Sequence, residues 1–171
     1  IFSGFAWADN SNLRQWDIVI DSELIQHDID ARPIFEKYTI PSLKRSKLRT
    51  NKNLLEWATK KIKSGLKKQI NLPFGNVHNG IIATGDQFIS DKKTLESLKC
   101  DIPNLSAVEM EGASVAQVAI QESINWLIIR VISDDAAAEA AQKFEDFLVG
   151  YNKFSSQLIN MILLDCEGIS F

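Results

Sequence analysis

Residues suited to acid–base and electrostatic catalysis lie at the ends of two predicted strands. Glu109 and Glu111 stand where a short apolar run ends and a helical pattern begins. Arg130 interrupts a second, nearly continuous apolar run, which Ser133 and Asp134 close. Ligands of α/β sheets bind in the crevice outside the carboxyl ends of the strands, and carboxylates are costly to desolvate there unless they are used. The two runs therefore predict one crevice, formed by adjacent strands, that holds these five side chains.

A structural interpretation competes with this functional one. A glutamate at the start of a helix is favoured by the helix dipole alone. Arg130 stays charged at any relevant pH and needs an anionic or polar partner when it is buried. Arg130 and Glu109 could therefore form an ion pair that locks two strands together. This interpretation fits the Ser133–Asp134 terminus less well.

Apolar strands alternate with amphipathic helices along the chain, which predicts an α/β domain. Residues 1–12 indicate a strand end followed by a turn-rich loop. Further strands are predicted at 16–21, 76–84, 105–108 and 126–134. Helices are predicted at 51–64, ending near Gly65, at 90–98 with Ser90 as N-cap, from Glu111 onward, and from Phe144 to Leu164.

Composition sets the broad class of protein. The 171 residues fit one domain, 1–171, and the 45% hydrophobic content allows a real core. A net charge of −3 argues against bulk nucleic-acid binding. Two cysteines form no disulfide framework, which favours the reducing cytoplasm. No apolar run reaches the length of a membrane span, and no signal peptide is expected.

The positive charges are unevenly distributed. Eleven of the nineteen Lys and Arg residues fall between Lys37 and Lys68. A solvated helix face is the simplest interpretation. The alternative is a polyanion-binding surface, which is disfavoured because few aromatic residues interleave the charges.

A metal site is the alternative interpretation of His27, Asp28 and Asp30. Because no second histidine lies close in sequence, a hydrogen-bonded loop histidine is favoured. We predict no metal site.

Three motifs occur in a defined order: Thr84-Gly-Asp-Gln-Phe-Ile89, Val108-Glu-Met-Glu-Gly-Ala113 and Arg130-Val-Ile-Ser-Asp134. Together they resemble the nucleoside phosphorylase/hydrolase superfamily, and within it the 5′-methylthioadenosine/S-adenosylhomocysteine nucleosidases. The resemblance runs over the whole chain but covers the C-terminal two thirds of a usual family member. It implies a three-layer αβα architecture with a central mixed β-sheet, incomplete at the N-terminus.

The resemblance implies hydrolysis of the N-glycosidic bond of 5′-methylthioadenosine and S-adenosylhomocysteine. Adenine is released, as in methionine salvage and the removal of methyl-cycle by-products. This chemistry needs an acid at adenine N7, negative charge near the oxocarbenium-like ribose and an activated water. No cofactor is implied, and the partners implied are a purine nucleoside substrate and a second copy of the chain.

Roles for site residues follow by position in the family motifs. Asp134 would protonate N7 with help from Ser133, and Arg130 and Glu109 would hold the water-side network. The implied substrate contacts are Glu111 with the ribose hydroxyls, Met110 with the sugar, Phe88 stacked on adenine, the Ile89 backbone at its edge, and Phe144 closing over the base.

Two departures from the family lead us to expect that this chain alone is inactive. The family's water-activating glutamate belongs to a segment that precedes Ile1, and Trp7 stands where small glycines normally allow close approach to the ligand. The alternatives are a purine nucleoside phosphorylase and a catalytically degenerate, polyanion-binding relative. Asp135 stands where a phosphorylase often has histidine, which favours the nucleosidase.

The resemblance also implies a homodimer in which an apolar loop reaches the partner's site. The segment Arg32–Pro41, with Ile34 and Phe35, is our candidate for that loop.

Overall fold

The structure is a computed structural model. It describes residues 1–8, 12–69, 71–89, 91–134 and 140–164, with the backbone alone described at 92, 134 and 140–143. The elements in chain order are β1 (Phe2–Ala8), β2 (Ile18–Gln26), β3 (Leu48–Arg49), α1 (Lys52–Lys68), β4 (Val77–Thr84), α2 (Lys92–Asp101), β5 (Leu105–Glu109), α3 (Gly112–Gln121), β6 (Ile128–Asp134) and α4 (Ala140–Leu163).

The strands form one mixed sheet in the order β3-β2-β4-β5-β1-β6. The pairs β1/β6, β2/β4 and β4/β5 are parallel, whereas β1/β5 and β2/β3 are antiparallel. β6 also pairs antiparallel with β2, so the sheet curls until its two sides meet. α3 packs on one face of the sheet, and α1, α2 and α4 contribute to the core clusters on the other. The predicted three-layer αβα architecture is confirmed.

β1 and β2 differ from the sequence prediction. β1 is a full strand that pairs along its length with β6, rather than a strand end before a loop. β2 begins at Ile18 instead of Trp16, because Trp16 adopts a φ of 73°, which an extended strand does not allow. The remaining predicted strands lie within one or two residues of β4, β5 and β6.

α1 begins as its sequence indicates but does not end at Gly65. The Asn51 side chain caps it by accepting hydrogen bonds from the backbone N–H groups of Asn53 and Leu54. Gly65 lies inside the helix because α4 approaches closely there: a Cβ at this position would lie 2.6 Å from Met161 Sδ. The glycine that suggests a helix end in the sequence is therefore a packing glycine.

α2 and α4 also have different ends from those predicted. The N-cap of α2 is Asp91, which accepts hydrogen bonds from the N–H groups of Lys93 and Thr94, while Ser90 lies outside the described residues. α2 continues to Asp101, and α4 begins at Ala140. Within the described ranges, no helix is long and apolar enough to cross a membrane.

Asp21 lies where one edge of β2 changes its pairing partner. Residues 18–20 of β2 pair with β6, whereas residues 23–24 on the same edge pair with β3. At the change of partner the fully buried Asp21 carboxyl accepts hydrogen bonds from Ile128 N at 2.7 Å, Trp126 Nε1 at 3.1 Å and the Thr50 hydroxyl. Burial raises the pKa of Asp21 from 3.8 to about 7, against the effect of these donors.

The raised pKa predicts how stability depends on pH. Between pH 3.8 and about 7, folded Asp21 keeps a proton that the unfolded chain has already released. The stability that this carboxyl contributes is therefore lost as pH rises through that window. We compare the unfolding free energies of the wild type and of Asp21→Asn. The wild-type value minus the variant value should fall by a few kcal/mol from about pH 4 to 7, because one pKa unit corresponds to about 1.4 kcal/mol. Denaturant titrations at several pH values measure this difference.

Asp146→Asn, at an exposed position of α4, is the matched control. Its difference from the wild type should change little over the same range. A difference for Asp21→Asn that stays flat or widens with rising pH would contradict the assignment.

Candidate active site

The ends of β5 and β6 meet across a third strand. The prediction that β5 and β6 are adjacent is wrong, because β1 lies between them. Trp7 of β1 is paired with Val108 of β5 on one side and with Asp134 of β6 on the other. Val108 is the last but one residue of β5 and Asp134 is the last of β6. Their shared partner Trp7 is the last but one residue of β1, so the carboxyl ends of the three strands lie side by side although β1 runs antiparallel to β5. This crevice contains most of the predicted site residues.

Arg130 and Glu109 form a buried ion pair across β1. Only 1% of each side chain is exposed, and Arg130 Nε donates to Glu109 Oε2 at 3.0 Å while Nη2 donates to the same oxygen. The guanidinium lies over Gly4 of β1, where any Cβ would collide with it. The Arg130 Cζ atom lies 4.6 Å from the centroid of the Phe2 ring. The structural interpretation of this pair is therefore correct in geometry, with β1 as the strand that it crosses.

Glu109 also fixes the beginning of α3. Its two oxygens accept from Gly112 N at 2.9 and 2.8 Å, and Oε2 accepts from Glu111 N at 3.1 Å. The Thr84 hydroxyl donates to Glu109 and accepts from Ala113 N at 2.9 Å. Because the Glu109 carboxylate already receives this many donors, it is suited to positioning rather than to proton transfer.

Glu111 is the carboxylate that this arrangement leaves accessible. It is the N-cap residue of α3, yet its side chain makes no capping hydrogen bond. Its Oε2 lies 3.3 Å from Arg130 Nη2, and 59% of its side chain is exposed. The ion pair thus orients an accessible carboxylate at the crevice, next to the half-buried Met110.

The end of β6 is held from two sides. The buried Ser133 hydroxyl donates to the carbonyl of Ala6 at 3.3 Å, and the Ser133 carbonyl accepts from Gln15 Nε2 at 2.6 Å. Ser133 therefore bonds to β1. Asp134 ends β6, and its side chain lies outside the described part of the chain.

The segment after β4 brings an aromatic ring to the crevice. Ile89 is buried in a core cluster with Ile25 and Val108, which leaves its backbone as the part that can face a ligand. Phe88 points the other way and is 57% exposed. Its ring centroid lies 4.2 Å from that of Trp7, at an interplanar angle of 89°.

Phe144 lies on α4 against β1. Its ring centroid is 5.5 Å from that of Phe5, in an edge-on contact, and Phe147 and Tyr151 complete the cluster. These contacts give Phe144 a packing role in the structure. Burial raises the pKa of Tyr151 in the same cluster.

Two residues that organise the site received no role in the sequence analysis. Thr84 joins Glu109 to α3, and Gly4 makes room for the guanidinium. A glycine inside a strand is a signal of close approach, but the sequence does not show what approaches it.

The acidic residues near His27 have other partners in the structure. Asp30 pairs with Arg32, and Asp28 accepts from the backbone N–H of Asp86. Burial lowers the pKa of His27, which favours its neutral form. Among the described residues, no group of three or more His, Cys, Asp or Glu side chains could hold a metal ion.

Known proteins share this arrangement of elements. A nucleosidase from Geobacillus kaustophilus, for 5′-methylthioadenosine and S-adenosylhomocysteine, is 35% identical over 166 residues, which is 95% of this chain and 66% of the relative. The crystal structure of the corresponding Colwellia psychrerythraea enzyme in complex with adenine is 30% identical with a TM-score of 0.80, covering 94% of this chain and 64% of that one. Futalosine hydrolase of Helicobacter pylori is 29% identical with a TM-score of 0.77, covering 95% and 65%.

The chain spans about two thirds of the length of these relatives. The family described as the phosphorylase superfamily matches residues 1–163, which is nearly the whole chain. The matched range contains the residues of the ion pair, of the β5–α3 junction and of the β6 terminus. The chain belongs to the phosphorylase superfamily.

Proposed function

We propose that the protein containing this chain hydrolyses the N-glycosidic bond of 5′-methylthioadenosine and S-adenosylhomocysteine and releases adenine. The observation that carries the proposal is the accessible Glu111 carboxylate, which the buried Arg130–Glu109 pair orients at the start of α3. The similar proteins that are nucleosidases for these two compounds support the substrate class.

The ribose side of the reaction belongs to Glu111. Cleavage of the bond makes the sugar oxocarbenium-like. The hydrogen bonds that a carboxylate accepts from the ribose hydroxyls therefore strengthen as positive charge develops on the sugar. Arg130 holds this carboxylate from behind at 3.3 Å. Met110, beside it at the β5–α3 junction, packs against the sugar.

The base side belongs to β6 and the segment after β4. Asp134 serves as the acid that protonates adenine N7, which makes the base a better leaving group. Phe88 stacks on the base, the Ile89 backbone contacts its edge, and Phe144 covers it from α4. Ser133 supports Asp134 indirectly, since its hydroxyl ties β6 to β1.

Setting and assembly form a further part of the proposal. We place the protein in the cytoplasm, where the exposed free thiol of Cys100 stays reduced, and in methionine salvage and methyl-cycle by-product removal. We also propose a homodimer formed through the segment Arg32–Pro41. Its Ile34 side chain is 81% exposed, which is unusual for a large apolar residue.

The first prediction concerns the acid. The experiment uses the protein at the length at which the cell produces it, called the native-length protein below. It should release adenine from 5′-methylthioadenosine at a rate that does not depend on phosphate, which distinguishes hydrolysis from phosphorolysis. Asp134→Asn should lower kcat by about 10²- to 10⁴-fold, because it removes general-acid help. Adenine release measured with and without phosphate tests both statements.

Asp146→Asn, the same change at an exposed position of α4, is the control and should keep full activity. Near wild-type turnover by Asp134→Asn would place the acid elsewhere. Strict dependence on phosphate would identify a phosphorylase.

The second prediction separates the two glutamates. Glu109→Gln leaves Arg130 buried without its counter-charge and should lower the unfolding free energy by about 3–5 kcal/mol. Glu111→Gln should change the unfolding free energy by less than about 1 kcal/mol, because 59% of the Glu111 side chain is exposed and Arg130 keeps Glu109 as its partner. The same variant should lower kcat by at least about 10²-fold. Denaturant titrations and steady-state kinetics provide the two measurements.

The assignment of roles fails if the pattern is reversed. A stable, active Glu109→Gln would mean that the ion pair is dispensable. An active Glu111→Gln would remove the ribose-binding role.

The third prediction concerns assembly. Ile34→Ser combined with Phe35→Ser should convert the native-length dimer to a monomer in analytical ultracentrifugation, because both apolar contacts are lost. Lys52→Ser, on the exposed surface of α1, should leave the dimer intact. A dimer that survives the double substitution would exclude this segment from the interface.

A further inference from the structure

Trp7 occupies the centre of the crevice. Its backbone pairs with Val108, one residue before Glu109, and with Asp134 on the other side. The register of β1 against β6 shifts between Ala6 and Trp7. Such an irregularity re-aims the side chain that follows it. Trp7 therefore lies between the strand that ends at Glu109 and the residue proposed as the acid.

The Trp7 ring contacts a site residue rather than the core. It meets Phe88, from the segment after β4, at 4.2 Å and nearly perpendicular to it. Phe5, two residues earlier on the same strand, instead packs against Phe147 and Tyr151 in the core cluster of α4. Trp7 is only half-buried and Phe88 is 57% exposed, so the pair leaves apolar ring surface facing water. A planar ligand would remove that surface from water at a gain in free energy.

We propose that Trp7 is the second aromatic wall of the base pocket and strengthens its preference for purines, an inference that rests on the proposed function. Two rings at right angles form a corner, and a planar base that stacks on one ring meets the other at its edge. A bicyclic purine removes more ring surface from water in this corner than a single-ring pyrimidine does. Trp7 thus adds a contact that discriminates between the two base classes.

Free adenine and uracil serve as probes for the native-length protein. Calorimetry should show tighter binding of adenine than of uracil by the wild type. Trp7→Gly should weaken adenine binding by about ten- to a hundred-fold, the usual effect of losing one base–aromatic stack, and should affect uracil much less. The preference for the purine should narrow accordingly.

Tryptophan fluorescence provides a second readout that a purely structural role would not change. Adenine should quench the wild type and the control Trp57→Phe, whose indole packs against the core from α1. Trp7→Phe keeps an aromatic wall, so it should retain most of the adenine affinity while it loses most of the quenching. This variant decides the matter even if Trp7→Gly fails to fold, as judged by circular dichroism.

The outcomes separate this inference from the proposed function. If the wild type releases adenine from 5′-methylthioadenosine but folded Trp7→Gly binds adenine as tightly as the wild type, only the inference is overturned. Quenching that persists in Trp7→Phe has the same meaning. If the wild type neither releases nor binds adenine, the proposed function fails and the inference fails with it.

Discussion

The buried ion pair between Arg130 and Glu109 is the interaction on which the candidate site depends. Its two members lie on β6 and β5, and the guanidinium crosses the intervening β1 above Gly4. Two desolvated charges are tolerable only when each is fully paired, and Glu109 also receives Thr84 and the first N–H groups of α3. The Glu109 carboxylate thus connects β4, β5, β6 and α3. Loss of either charge would leave the other buried without a partner.

This constraint divides the two glutamates of the β5–α3 junction between structure and chemistry. Glu109 is saturated by donors, while Glu111, two residues later, keeps an exposed carboxylate that Arg130 touches on one oxygen. Glu109 ends β5, whereas Glu111 is the N-cap residue of α3, so the chain leaves the strand between them and the two side chains reach different environments. The structural and functional interpretations of the sequence are therefore compatible, since each describes a different residue.

Local pattern predicted the elements, whereas contacts between distant segments decided their details. The apolar runs located β4, β5 and β6 because buried strands have a local signature. The position of β1 between β5 and β6 depends on pairing that no periodicity encodes. Gly65 resembles a helix end until α4 is packed against it. Ser133 and Arg130 could be assigned to one site from their strand, but their partners Ala6 and Gly4 lie over 120 residues away in sequence.

The same geometry explains how the base pocket can differ without disturbing the charged part of the site. The ion pair is completed by Gly4, Thr84 and the start of α3. The Trp7 ring instead meets Phe88, whose neighbour Ile89 holds that segment in the core. Because the aromatic contacts and the charged contacts use different side chains, a large residue at position 7 changes the shape offered to the base while Glu111 keeps its place. Under the proposed function, specificity for the base and stabilisation of the sugar are thus carried by separable parts of one crevice.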